Sequence, residues 1–211
     1  MDALILAAGL GSRMEDLTKE IPKPLLKIND KPLISYALDI TSQIQFENIY
    51  VNIHYKAEKL QIYLNDKYPK VKISYEKKIL GTGGGVKKVQ EKDLFIINTD
   101  NLWQSSFSSE IENAISYFSD HHEIENMLLV NSQFSEFDLE MNNHRINFPS
   151  QNINTKFQGC HILRNNSLSE YPNIFNIPSY WINCSKNKKL FGYETSTNNP
   201  HIGTKELYLQ Y

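Results

Sequence analysis

The residues of this chain best suited to chemistry are glycines, one arginine, a proline-held lysine and an aspartate after an apolar run. Gly9 and Gly11 directly follow the apolar stretch Ala3–Ala8, and Ser12 and Arg13 come next. In open α/β sheets ligands bind outside the carboxyl ends of strands, and glycine there lets backbone N–H groups approach phosphate oxygens with no Cβ in the way. Gly-x-Gly alone also describes a plain tight turn. The segment fits neither a P-loop nor a dinucleotide fingerprint, because Gly-Lys-Ser/Thr is missing and position 14 is Met14. Arg13 is a planar, always-charged fork for phosphate oxygens, and Lys23, between Pro22 and Pro24, adds a point charge on restricted backbone. The chain has three arginines (Arg13, Arg145, Arg164) among 22 basic residues, a lysine bias that nucleotide composition explains except where a bidentate fork is needed.

A second glycine cluster, Gly81-Thr82-Gly83-Gly84-Gly85, follows a strand-like run and opens a short helix, a place where a flat base can lie on backbone. It also reads as a flexible strand–helix turn. Leu94–Asn98 is apolar and leads to Asp100. Other groupings read more blandly. His121-His122-Glu123 is a solvated face, since neighbours on a helix point apart. His54 is either a hydrogen-bonded core or rim histidine or a ligand contact. Trp103 is a pocket wall. Tyr180, Trp181 and Phe175 pack the second half, and Arg145 and Arg164 lie at the surface.

These residues need a sheet to hold them. Buried strands are expected at Ala3–Ala8, Ile49–Ile53, Val71–Tyr75 and Leu94–Asn98. Helices are expected at about 32–45, Ala57–Asp66, Gly81 to about Val89 and Ser108–Phe118. That alternation argues for a doubly wound parallel sheet over the first 120 residues. Strands follow at Met127–Val130, Phe137–Met141, Arg145–Phe148, Phe157–Leu163 and Leu190–Tyr193, with a weak helix at Phe175–Cys184 and a short one at Thr204–Tyr211. With 211 residues and no linker or repeat, one domain is expected: a nucleotide half, 1–105, and a half shaping a second pocket, 106–211. A net charge of −2 excludes a nucleic-acid or membrane partner held by bulk charge. No signal-type or membrane-length apolar run occurs, and Cys160 and Cys184 make no disulfide framework, so a cytoplasmic protein is expected.

The stretch Leu-Ala-Ala-Gly-x-Gly-x-Arg-Met-x-x-Leu-Thr-x-x-x-Pro-Lys-Pro-Leu, residues 6–25, resembles the signature of the sugar-phosphate nucleotidyltransferases, which make nucleotide sugars. Val51–Tyr55, Gly83–Lys88, Asn98–Trp103, Phe157–Leu163 and Pro200–Thr204 resemble one branch, the bacterial N-acetylmuramate 1-phosphate uridylyltransferases of cell-wall recycling. The resemblance is thin between residues 105 and 155. It implies a Rossmann-like, doubly wound mixed sheet and transfer of a nucleotide from a triphosphate to a sugar 1-phosphate. Arg13 and Lys23 would be catalytic, and Ala8, Gly9, Gly11, Ser12, Thr82, Gly83 and Gly84 would bind nucleotide. Asp100 would hold Mg²⁺, with Mn²⁺ as a substitute. Gly159, Lys156 and His201 would face the sugar phosphate. His201 stands where many relatives carry a second metal-binding Asp, so it is open between sugar-phosphate contact, metal ligation and a structural role. Lys156 is the one candidate for a second catalytic lysine. Ala8 favours UTP, because guanylyltransferases more often read Leu-Ala-Gly-Gly. The alternatives are a mannose- or heptose-1-phosphate guanylyltransferase, choline-phosphate cytidylyl transfer, and, in another class, a non-catalytic nucleotide-sugar-binding subunit. Monomer and homodimer are both open.

Overall fold

The structure is a computed structural model, and it describes residues 1–134 and 136–211. The strands are β1 (Asp2–Leu6), β2 (Lys27–Ile28), β3 (Lys31–Pro32), β4 (Ile49–Ile53), β5 (Lys72–Tyr75), β6 (Leu94–Asn98), β7 (Asn126–Asn131), β8 (Glu140–Asn142), β9 (Arg145–Asn147), β10 (Lys156–Leu163) and β11 (Leu190–Glu194). The α-helices are α1 (Leu33–Ser42), α2 (Ala57–Lys67), α3 (Gly81–Val89), α4 (Phe107–Asp120), α5 (Pro178–Lys186) and α6 (Lys205–Tyr208).

Nine strands form one mixed sheet in the order β5-β4-β1-β6-β10-β7-β11-β9-β8. The β5-β4-β1-β6 part is parallel, and β10 runs antiparallel to both β6 and β7. The sheet therefore continues without a break from the nucleotide-type half into the second half. β1 and β6 are apolar along their length because helices cover both faces, as buried parallel strands require. One core layer gathers Ala3, Ile5, Ile34, Leu38, Phe95 and Phe118; the other gathers Leu4, Val86, Ile96, Leu128, Tyr180 and Trp181. The carboxyl ends of β1 and β6 lie side by side, with Leu6 opposite Asn98, so the segments after them share one rim.

Several expectations shift in detail. Residues 9–31, where no strand or helix is expected, hold two short 3-10 helices (Ser12–Thr18 and Lys23–Leu25) and the small β2–β3 hairpin. The strand expected at Phe137–Met141 is β8, residues 140–142, with Leu139 bridging singly to Thr155. Pro178 does not interrupt a helix at 175–184. It begins α5, at a position whose N–H has no intrahelical partner anyway. Arg164 is no surface residue: its guanidinium binds Asp93 and the carbonyls of Phe118, Ile124 and His121, and stacks 3.8 Å from the Phe118 ring. Those four hydrogen bonds from one planar group explain why lysine would not serve there.

Candidate active site

The first glycine loop leaves β1 and turns at Gly11, whose φ of 68° is a left-handed conformation that glycine adopts freely. A side chain at Gly11 would also press on Lys23 Cβ and Thr18 Cγ2, each 3.0 Å away. Thr18 Oγ1 donates to Gly11 O (3.2 Å), and Tyr55 Oη donates to Thr18 O (3.0 Å), which pins the loop to the strand-β4 side. A cleft of about 440 Å³ opens above it, lined by Ala8, Gly9, Gly11, Ser12, Arg13, Lys23, Thr82 and Asp100 among others. Arg13 is exposed on this wall and enters no ion pair among the described residues.

Lys23 and Asp100 meet in the cleft, Nζ to Oδ2 at 2.8 Å, with side chains 12% and 19% exposed. His201 approaches the same oxygen, Nε2 to Oδ2 at 3.4 Å. It is brought there by backbone pairing: Asn101 bridges His201, Leu102 N–H donates to Pro200 O (2.9 Å), and Ile202 N–H donates to Asp100 O (2.6 Å). Burial alone would raise the Asp100 pKa; His201 and Lys23 outweigh it and hold the carboxyl below the usual carboxylate range. Asp100 Oδ1 is buried and has no hydrogen-bond partner among the described residues. A lone carboxylate oxygen beside a polyanion cleft fits a divalent cation that draws its remaining ligands from phosphate and water. No group of three or more His, Cys, Asp or Glu side chains gathers among the described residues, so protein ligands alone would not complete such a site.

The second glycine cluster behaves differently from its sequence expectation. Gly81 and Thr82 line the cleft, whereas Gly83 and Gly84 do not. The N–H groups of Gly83 and Gly84 both donate to Phe175 O, at 3.0 and 3.1 Å. Side chains at these positions would strike the Phe175 ring and Asn173 O. These two glycines admit the 173–176 segment rather than lie open to a base. Thr82 Oγ1 accepts from Ile177 N–H (3.0 Å) and so joins the same packing.

A second cleft, about 280 Å³, adjoins the first at their shared residue Asn98. Gly159, Lys156 and His201 line it, together with Asn101, Glu136, Asp138, Gln158 and Asn199. Gly159 has φ 79° and sits where the β10–β7 register shifts between Phe157 and His161, a bulge that re-aims Gln158 and Gly159. Lys156 pairs with Glu136 (3.0 Å) and is not among the residues of the Lys23–Asp100 cleft.

Sequence reasoning missed a polar brace. Asn52 Oδ1 accepts Ala7 N–H (2.7 Å), Asn52 Nδ2 donates to Glu76 Oε1 (2.9 Å), and Glu76 Oε2 accepts Leu80 N–H (3.0 Å). The brace ties the two glycine segments together across β4. Its signal was legible, since Asn52 is a polar residue inside the apolar run Ile49–Ile53. His54 bonds Glu76 O through Nδ1 (2.8 Å) and lines neither cleft. Trp103 is core, 5% exposed, its Nε1 donating to Asn98 O (2.8 Å), and is no pocket wall. His121 stacks on Tyr117, ring centroids 3.9 Å apart.

A glycine loop at the end of a parallel strand, a lysine–aspartate pair facing it and an adjoining polar cleft share one rim of this α/β sheet. The chain belongs to the nucleotidyl transferase family, whose model matches residues 2–139. It is 34% identical over 113 residues to a D-glycero-alpha-D-manno-heptose 1-phosphate guanylyltransferase of Campylobacter jejuni, covering 51% of this chain and 51% of that protein. It is 37% identical over 111 residues to an N-acetylmuramate alpha-1-phosphate uridylyltransferase of Caulobacter vibrioides, covering 48% of this chain and 46% of that protein. The match thus spans about half the length of these two relatives and under a third of longer ones. HddC from Yersinia pseudotuberculosis has the same fold, with a TM-score of 0.77 at 22% identity over 99% of this chain and 96% of that one. No helix among the described residues is long and apolar enough to cross a membrane.

Proposed function

We propose that this chain transfers a nucleotidyl group from a nucleoside triphosphate to a sugar 1-phosphate, releasing pyrophosphate. The observation that carries this reading is the meeting of Lys23 and Asp100 at 2.8 Å in a cleft walled by the Gly9–Arg13 loop. A phosphate oxygen of the sugar attacks the α-phosphorus in line. The bond to the bridging oxygen of pyrophosphate breaks, and that oxygen leaves with the electron pair. The nucleophile is already an anion, so no covalent enzyme intermediate is needed and catalysis is positioning and charge stabilisation. Arg13 grips the departing pyrophosphate. Lys23 lies between the α-phosphate and the incoming phosphate. Ala8, Gly9, Gly11 and Ser12 offer backbone to the triphosphate, with Thr82 on the opposite wall. Asp100 would hold a divalent cation, Mg²⁺ or Mn²⁺, which would supply charge neutralisation and alignment of oxygens. His201 serves either Asp100 or the sugar phosphate.

On this reading residues 1–105 hold the nucleotide and 106–211 shape the sugar cleft. The reading extends to a cytoplasmic location, where the free, buried Cys160 and Cys184 stay reduced. Two substrate pairs are consistent with the reaction. Motif resemblance and Ala8 favour UTP with N-acetylmuramate 1-phosphate, and similarity to the heptose 1-phosphate guanylyltransferase favours GTP with a heptose 1-phosphate. Pyrophosphate release, measured with each nucleoside triphosphate against a panel of sugar 1-phosphates, tests the proposal. Tight binding of a nucleotide sugar with no pyrophosphate from any pair would replace it with a non-catalytic binding subunit.

A further inference from the structure

The second cleft carries a charge imbalance. Its wall holds the carboxylates of Glu136 and Asp138 against one ammonium, Lys156. Lys156 Nζ is already paired with Glu136 Oε2 at 3.0 Å. Asp138 is held from the other side, its Oδ1 accepting Phe157 N–H at 2.8 Å. With the His201 imidazole at the Asp100 end of the wall counted as neutral, two carboxylates facing one ammonium leave one negative charge over. The same wall has a free donor. Asn199 is 3% exposed, its Oδ1 accepts Gln104 N–H (3.0 Å), and its Nδ2 has no partner among the described residues. A buried donor left unpaired in a cleft wall asks for an acceptor from a ligand.

We infer that this cleft selects a sugar 1-phosphate whose ring substituents are uncharged, and that Asp138 excludes acidic sugars, an inference that rests on the transfer reaction proposed above. A sugar hydroxyl donates and accepts, so it can satisfy both a carboxylate such as Asp138 and the Asn199 amide. A substrate carboxylate only accepts. It suits Asn199 but brings nothing to Asp138, and like charges brought close together repel. Lys156 gives limited relief. Drawing it to a substrate carboxylate strips it from Glu136 and leaves the Asp138 charge in place. Selectivity of this kind comes from the repulsive element as much as from the attractive ones. The phosphate common to all candidate acceptors belongs at the His201 and Lys23 end, away from this imbalance. The cleft therefore weighs against N-acetylmuramate 1-phosphate, whose lactyl group is a carboxylate.

The test measures pyrophosphate release with UTP, GTP and CTP and Mg²⁺. The acceptors are N-acetylglucosamine 1-phosphate, mannose 1-phosphate, a heptose 1-phosphate and N-acetylmuramate 1-phosphate. At least one neutral acceptor is expected to exceed N-acetylmuramate 1-phosphate in kcat/KM by about tenfold or more, and Asp138→Asn is expected to narrow that ratio by about tenfold. Should that variant not fold, Glu136→Lys, at a side chain 85% exposed, reverses a charge on the same wall and is expected to narrow the ratio likewise. Wild-type preference for N-acetylmuramate 1-phosphate over every neutral acceptor overturns the inference and leaves the transfer reaction standing. No pyrophosphate with any acceptor overturns the transfer reaction and the inference with it. A ratio unmoved in folded Asp138→Asn overturns the role given to Asp138, and one unmoved in Glu136→Lys overturns selection by the charge of this wall.

Discussion

Lys23 Nζ lies 2.8 Å from Asp100 Oδ2, so the cation proposed for phosphate neutralises the carboxylate proposed for metal. The two side chains are largely shielded from water, where an unpaired charge is costly. Asp100 would hold a divalent cation through its unpartnered Oδ1, and Lys23, already at its Oδ2, lies on the same cleft wall as Arg13.

Lys23→Met should therefore lower thermal stability, by about 1–3 kcal/mol, because Asp100 loses its nearest counter-charge. Millimolar Mn²⁺ or Mg²⁺ should restore the variant's Tm more than it raises the wild type's, since a cation replaces the missing ammonium. Turnover should stay low with the metal present. Equal metal stabilisation of the two proteins would separate Lys23 from the metal site.

Arg13 presents the opposite case, an exposed side chain that enters no ion pair among the described residues. Removing it should leave the fold alone, within about 0.5 kcal/mol. Arg13→Ala should cut kcat by about 10²–10³, the scale of losing one donor to developing charge. Arg13→Lys should recover little, because one point charge does not replace a bidentate fork. Near-normal turnover in Arg13→Ala, in a pyrophosphate-release assay, would remove Arg13 from the mechanism.

The parallel half of the sheet was legible because its strands are short, mostly apolar runs alternating with helices that have apolar faces. Arg13, Lys23 and Asp100 stood out through the motif resemblance, and the fold brings all three to one cleft. The placement of His201 against Asp100 was not derivable from spacing, since it depends on residues 199–202 pairing with the turn at 100–102. The amide and carboxylate wall of the second cleft was equally hidden, because the β10 bulge that shapes it is a matter of register. Gly83 and Gly84 were misjudged for a general reason. Glycine marks close approach of backbone but does not say whether ligand or protein approaches.

That ambiguity makes the glycines separable by experiment. A Cβ at Gly9 meets nothing within 4 Å, whereas one at Gly83 runs into the Phe175 ring. Gly9→Ala should keep the wild-type Tm while raising KM for the nucleotide, since the methyl occupies space assigned to phosphate. Gly83→Ala should lose about 2–4 kcal/mol through displacement of Phe175, outweighing the roughly 1 kcal/mol that alanine gains in a helix. Denaturant melts and KM values for the two variants check both halves. A destabilised Gly9→Ala would refute the functional assignment of that position.

His161 supplies a pH dependence with a definite sign. It is buried in β10 against Trp181, Asn126 Nδ2 lies 2.9 Å from its Nδ1, and burial lowers its pKa from 6.5 to about 3. Asn126 Nδ2 carries only donors, so Nδ1 accepts and the ring is neutral. The unfolded chain binds a proton near pH 6.5 that the folded chain refuses until about pH 3. The stabilisation is thus full above the unfolded value and is lost as pH falls through that window. Between pH 7.5 and 5 this one residue should remove about 2 kcal/mol. His161→Gln, neutral throughout, should show a correspondingly shallower acid slope in urea melts. NMR should show no His161 titration above about pH 4 in the folded wild type, a readout that does not depend on the variant folding. Protonation of that ring near pH 6 in the native protein would mean that its burial does not control its charge.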